Sequence, residues 1–419
     1  MEQHATFGNV PQFSREIFAG TRVENLARPG HLNTGMFAAV DFKKRLVHGQ
    51  LFRLIGGGLA PLHPLIDQNR RDSPATSAKA PDSANFSADH AVSHNPNYAA
   101  RSMALHRIVQ SAPAKLNLAL SVGRPDEDGM HPICSWMVTI SLSDELELSR
   151  LEAGSISRYA ILWHEEARNR SEIDWSIRHD LAVRAHLALE QAVGRALPVQ
   201  LKLAKRIPVA GGLGGGSSDA AAMLLACNTL FGLGLTSNEL QAVAAPLGSD
   251  VSFFLYGGSA LVEGRGECVT PLENRPNLHL VLIFPPVACP TGAIYRAFDE
   301  MAGPDRSGLR PHLVRELIDL PPASLREMDL PNDLIEPAMS VKPELNEIRR
   351  KIKRAADRSV HLAGSGSSLF VICDDALHAQ ALAETIERET NLPAVAGRTS
   401  SPEPPEPPEP ASTDQPPDA

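Results

Sequence analysis

The stretch RIPVAGGLGGGSSDAAAML, from Arg206, places five glycines and two serines between an apolar run and an alanine-rich run. Glycine at that density lets backbone N–H groups converge on an anion with no side chains in the way. A helix starting directly afterwards adds about half a positive charge at its N-terminus. Such a cradle suits phosphate. Ala220, Ala221 and Ala222 keep the following turn slim, so a large ligand can approach. Asp250, in GSDVSFF, is a carboxylate directly before a strongly apolar run, and Lys115, in PAKLNL, is a cation inside an apolar strand, where a bland surface lysine is out of place. Beside such a cradle, phosphoryl transfer asks for little more than one base and one cation. Its loose transition state needs an oriented acceptor hydroxyl and stabilised charge rather than covalent help.

The elements that must position these groups are legible on either side. SWMVTISLSDELELSR, from Ser135, and VQLKLAKRIPV, from Val199, alternate as half-buried strands do, and the second delivers the chain to the glycine loop. DLAVRAHLALEQAVG, from Asp180, has helical spacing, and DAAAMLLACNTLFG is a second helix, with Ser217 or Ser218 as the expected N-cap and Gly232 as its stop. SNELQAVAAPLG adds a short helix before Asp250. From about Pro276 a second half offers the buried strand LHLVLIF, the helices TGAIYRAFDEM and PELNEIRRKIKRAA, and a second glycine-serine turn, LAGSGSSLFVIC.

A chain of 419 residues predicts two domains with appendages. Residues 1–102 lack sustained periodicity and are rich in Ser, Ala, Pro and Asn toward their end, so a disordered N-terminal extension is expected, with Met103 as an alternative functional start. The domains are then 103–275 and 276–400, followed by a Pro/Glu-rich tail over 401–419, extended and solvated. A net charge of -9 argues against coating nucleic acid, and no run of about 18 apolar residues offers a membrane span. Five scattered cysteines without a C-x-x-C pair indicate neither a disulfide framework nor a zinc site. A soluble protein of the reducing cytoplasm, with no nucleic-acid or membrane partner, is expected.

The glycine loop is not a Walker A element, because Ser217 stands where the lysine belongs. Nor is it the dinucleotide fingerprint, whose third glycine is again replaced by Ser217. It resembles the second motif of the GHMP kinases, roughly P-x-x-x-G-L-G-x-x-S-S-x-A, matched by Pro208, Gly212, Leu213, Gly214, Ser217, Ser218 and Ala220. From about Ala112 to Leu392 the chain looks like the branch that phosphorylates a cytidine-diphosphate-linked methylerythritol in isoprenoid precursor biosynthesis. APAKLNLALSVGRPDEDGMHPI, PVAGGLGGGSSDAA, GSDVSFFLYGGSALVEGRGE and LAGSGSSLF carry that likeness in order.

The resemblance implies an α+β fold of two domains, the first like ribosomal protein S5 domain 2 and the second ferredoxin-like, with ATP as its Mg2+ complex and a small-molecule acceptor meeting between them. It implies Asp250 as the group that deprotonates or orients the acceptor hydroxyl, with Lys115 polarising the acceptor oxygen. ATP is expected on Pro208, Val209, Ala210, Gly211, Gly212, Leu213, Gly214, Gly215, Gly216, Ser217 and Ser218, with Asp180 at the adenine. The acceptor is expected on Asn117, His131, Thr291 and Tyr295, His131 reading the cytosine edge and Tyr295 stacking on the base. No dedicated metal ligands are identified. Met130, Ala210 and Asp180 depart from the branch, which usually has Tyr, Gly and Asn there. Two other readings stay open: another GHMP kinase, acting on homoserine, a mevalonate or a sugar, and a binding protein that keeps the nucleotide pocket without transfer. The presence of both Lys115 and Asp250 speaks against the second.

Overall fold

In the computed structural model the described residues are 52–55, 58–61, 106–273, 276–302 and 308–401. Strands β1 (Phe52–Ile55) and β2 (Gly58–Pro61) form an antiparallel hairpin in the N-terminal extension. The rest of that extension, expected to be disordered, and residues 402–419 of the tail lie outside the described residues.

From His106 onward the elements run β3 (Arg107–Val122), β4 (Ile133–Arg150), β5 (Arg158–Trp163), α1 (Leu181–Val193), β6 (Val199–Lys205), α2 (Gly215–Leu230), α3 (Ser237–Ala244), α4 (Val251–Tyr256), β7 (Ser259–Gly264) and β8 (Cys268–Pro271). The long β4 organises one sheet. It pairs antiparallel with β3 along its length, with β7 through its first half and with β6 through its second, while β5 joins β6 in parallel and β8 extends β7. Leu146 and Leu148 of β4 and Val199, Leu201 and Leu203 of β6 share one core cluster with α1 and α2, and each such side chain contributes about 1.5–3 kcal/mol by leaving water. Helix α2 is the central element, buried from Ser218 to Met223 and packed on α1, α4 and β3.

The second sheet is built from β9 (His279–Ile283), β10 (His361–Leu362), β11 (Leu369–Cys373) and β12 (Ala394–Arg398). Helices α5 (Thr291–Ala302), α6 (Pro311–Ile318), α7 (Pro322–Glu327), α8 (Ile335–Val341) and α9 (Pro343–Ala356) lie between β9 and β10, and α10 (Ala376–Thr390) between β11 and β12. Its antiparallel order, β12-β9-β11-β10, is the 4-1-3-2 arrangement of a ferredoxin-like domain. Strand β9 reads as an unbroken apolar run because both its faces are covered. Val281 and Ile283 pack into the cluster containing α5, α9 and α10, and Leu280 and Leu282 into the cluster containing Leu116, Leu118 and Trp136 of the first sheet.

His361 of β10 is 5% exposed, and burial pulls its imidazole down to about 4. Unfolded, it titrates near 6.5, so between those values the unfolded chain binds the extra proton and stability falls as the pH falls. The loss approaches about 3 kcal/mol once the pH is below both values. Urea unfolding at pH 7 and pH 4.5 should show His361→Phe with a shallower pH dependence than the unsubstituted chain. Equal slopes would remove His361 as a contributor.

Candidate active site

Lys115 owes its position to two irregularities in β3. The register against β4 shifts between Pro113 and Lys115 and again between Asn117 and Ala119, so the segment carrying Lys115 and Asn117 is bracketed by bulges, which re-aim side chains beside functional sites. The Lys115 ammonium donates to Asn117 Oδ1 at 2.7 Å and lies 3.4 Å from Asp250 Oδ2. Asn117 Nδ2 donates to Ser135 Oγ at 2.8 Å, which donates in turn to the Ala119 carbonyl at 2.6 Å, locking the amide's orientation. Asp250 precedes α4 but makes no side-chain capping bond, so its carboxylate is free for the cleft. Lys115 side-chain exposure is 6% and that of Asp250 26%, which leaves the acid the accessible member of the pair.

A cleft of about 940 Å³ gathers most of the residues expected from the sequence: Lys115, Asn117, His131, Asp180, Pro208 through Ser217, Asp250, Thr291 and Tyr295. Ser218 is the exception. Helix α2 begins at Gly215 with Gly214 as N-cap, rather than at a serine cap, because Gly214 takes φ +72°, where glycine is comfortable. The earlier start turns Ser218 onto the buried face of the helix, away from the cleft. The first intrahelical bond runs from Ser218 N to Gly214 O, leaving the N–H groups of Gly215, Gly216 and Ser217 as the donors a phosphate requires.

The glycine loop also meets the second glycine-serine turn. A Cβ on Gly212 would lie 2.1 Å from the Ala363 carbonyl, so only glycine permits that contact, and Ser368 N donates to Gly211 O at 3.1 Å. Ala210 has φ +57°, a left-handed conformation, which accounts physically for the glycine usual at that position. Asp180 caps α1 through Ala182 N and Val183 N and accepts from Trp175 Nε1 at 3.2 Å, with Trp175 and His179 forming the adjoining cleft wall. Leu181 packs toward Gly216, so this ring-lined wall adjoins the phosphate loop.

Elsewhere along the cleft, His131 lies 4.9 Å from the Tyr295 ring, and Thr291 Oγ1 is 3.1 Å from Ser365 Oγ. Burial, then the charge of Asp250, pushes the Tyr295 hydroxyl up to about 12, so it remains an O–H donor. Met130 is 44% exposed at the cleft. Its loop is tied down by Arg265, which pairs with Asp126 and with Asp128 at 3.1 Å.

Sequence reasoning missed the ionic group beneath the phosphate loop. Lys205 donates to Asp144 Oδ2 at 2.6 Å and Asp219 Oδ2 at 2.5 Å, and Asp144 Oδ1 accepts from Arg206 N and Ile207 N at the loop's start. Burial works against the Lys205 charge, but the two carboxylates prevail and hold it well above the usual lysine range. Burial raises the Asp219 carboxyl, against the pull of Lys205. Asp144 and Lys205 both occupy the inward phase of alternating strands, two residues from Leu146 and Leu203, and a charge at an inward position was the available signal. Asn332 was missed too. Its Nδ2 donates to the carbonyls of Leu362 and Gly364 and so holds the second glycine turn.

A glycine cradle at a helix N-terminus, an acid-cation pair at its foot and a ferredoxin-like second half define a small-molecule kinase of the GHMP class. The family model "GHMP kinases N terminal domain" matches residues 180–258, and "GHMP kinases C terminal" matches 313–391. A protein of Nocardia farcinica (strain IFM 10152) named 4-diphosphocytidyl-2-C-methyl-D-erythritol kinase is 37% identical over 279 residues, 66% of this chain and 88% of its own. One of the same name from Caulobacter sp. (strain K31) is 36% identical over 284 residues, 67% of this chain and 94% of its own. A crystal structure of 4-(cytidine 5'-diphospho)-2C-methyl-D-erythritol kinase is 35% identical, with a TM-score of 0.56, and the match covers 70% of this chain and 98% of that one. A homoserine kinase from Cytophaga hutchinsonii ATCC 33406, 18% identical with a TM-score of 0.52 over 72% of this chain and 97% of its own, shares the fold. The chain belongs to the 4-diphosphocytidyl-2-C-methyl-D-erythritol kinase family of ATP-dependent GHMP kinases.

Proposed function

We propose that this protein transfers the γ-phosphoryl group of ATP to the 2-hydroxyl of 4-diphosphocytidyl-2-C-methyl-D-erythritol. The observation that carries the reading is the Lys115–Asp250 pair at 3.4 Å, in the same cleft as the phosphate loop of a chain with this family's relatives. Asp250 accepts the proton of the acceptor hydroxyl while the oxygen attacks in line, and Lys115, fixed by Asn117, stabilises the charge developing on that oxygen. The free N–H groups at the start of α2 hold the phosphates, and the Trp175–Asp180 wall takes adenine. Asn117, His131, Thr291 and Tyr295 hold the acceptor.

Mg2+ fits as a companion of ATP rather than as a resident ion. Among the described residues no group of three or more His, Cys, Asp or Glu could hold a metal, while the Asp250 carboxylate faces the cleft uncapped and could reach one. Bound with ATP, the ion supplies neutralisation of the β- and γ-oxygens. No helix among the described residues is long and apolar enough to cross a membrane. The cytoplasm is the compartment we propose.

A coupled ADP assay with cytidine-diphosphate-linked methylerythritol, homoserine, mevalonate and galactose tests the substrate class. Turnover should be confined to the first, and turnover on any other alone would overturn the reading. Tyr295→Ala should raise KM for the cytidylyl acceptor at least about tenfold at saturating ATP, because base stacking on an aromatic is worth about 1–3 kcal/mol and the exposed Met130 offers no flat ring to compensate. An unchanged acceptor KM would assign Tyr295 to packing alone.

A further inference from the structure

The cleft has to receive two bases, and two sets of rings line it, Trp175 with His179 and Tyr295 with His131. Trp175 and His179 adjoin the phosphate loop, which suits adenine, whereas the Tyr295–His131 pair lines the same cleft as Asp250, which leaves these rings the acceptor's pyrimidine. This inference rests on the acceptor being cytidylyl, as proposed above.

His131 is gripped by one face of α5. Its ring lies 4.9 Å from Tyr295 and 5.8 Å from Phe298, and its Nε2 is 2.7 Å from Asp299 Oδ1, residues spaced to share a helix face. The imidazole side chain is 7% exposed and that of Asp299 39%, so the ring is held while the carboxylate stays solvated. A carboxylate only accepts hydrogen bonds, so facing one at Nε2 favours the tautomer that carries its proton there and leaves a lone pair on Nδ1. Nδ1 makes no hydrogen bond among the described residues, and His131 lines the cleft.

We propose that Asp299 is a positioning residue that sets base selectivity: by fixing the Nε2–H tautomer of His131 it presents an acceptor at Nδ1. Cytosine answers that acceptor with its 4-amino donor. Uracil carries a carbonyl at the same position and places lone pair against lone pair. A buried polar atom left facing its own kind is what makes such discrimination large.

Titration calorimetry with CDP and with UDP, on the full chain with the ATP site filled by a non-hydrolysable ATP analogue, tests this. The unsubstituted protein should prefer CDP. Asp299→Lys places a donor-only group opposite Nε2 and demands the other tautomer, so the ratio of the UDP to the CDP Kd should fall at least about tenfold, with affinity for the ATP analogue unchanged. Asp299→Glu keeps an acceptor there and should keep the preference. The proposal is overturned if Asp299→Lys retains the ratio, if it weakens both ligands equally, or if Asp299→Glu loses the preference as Asp299→Lys does. Because calorimetry needs no turnover, failure of the functional reading shows separately, as an unsubstituted protein that releases no ADP with the cytidylyl alcohol.

Discussion

Asp250→Asn is expected to lower kcat by about 10² to 10⁴, with the apparent KM for ATP little changed, the weight of a positioned acid-base group. The amide keeps the carboxylate's shape but cannot take a proton from the acceptor hydroxyl. The local structure makes this a clean substitution. Asp250 makes no capping bond to α4, so its loss does not unpin the helix, and Lys115 keeps its 2.7 Å bond to Asn117. In the proposed mechanism phosphate binding depends on the start of α2, not on this side chain. Steady-state kinetics with the coupled ADP assay measure the split, and retained turnover would remove Asp250 from the chemistry.

The largest expected loss of stability comes from Lys205→Met. The side chains of Lys205, Asp144 and Asp219 are 5%, 0% and 2% exposed, so removing the ammonium leaves two buried carboxylates facing each other with no counter-charge. Breaking a buried pair in this way costs about 3–5 kcal/mol. Asp144 also holds the first N–H groups of the phosphate loop, so the folded fraction should lose ATP affinity as well. Urea unfolding measures the first effect and calorimetric titration with ATP the second. An unchanged unfolding midpoint would show that the ionic group contributes nothing to the fold.

Much of this site could be read from the residues because its chemistry is local in sequence. The glycine loop, the helix after it and the Asp250 segment are contiguous patterns, and α9 occupies Pro343–Ala356, the stretch read as PELNEIRRKIKRAA. The N-cap of α2 falls at Gly214 rather than at a serine because the left-handed freedom of glycine there outweighs the capping preference of Ser217 and Ser218. The bulges around Lys115 and Asn117 have no glycine or proline signature at the shifted positions beyond Pro113 itself, and they arise from pairing with β4. Other features depend on distant partners. His131 and Asp299 are 168 residues apart, and Lys205 and Asp144 are 61 apart, so only the inward phase of a charged residue on its own strand hinted at the second pair. The 4-1-3-2 order of the second sheet followed from resemblance to a family, since periodicity finds strands but not their neighbours.

Phosphoryl transfer in this cleft should reach one hydroxyl of a cytidylyl alcohol. Phosphorus NMR of the products formed from ATP and 4-diphosphocytidyl-2-C-methyl-D-erythritol tests it most directly. The expected products are a new phosphomonoester on the 2-hydroxyl, with the cytidine diphosphate linkage intact, and ADP in equal amount. ADP released without a new phosphomonoester, or a phosphoryl group on another hydroxyl, would contradict it.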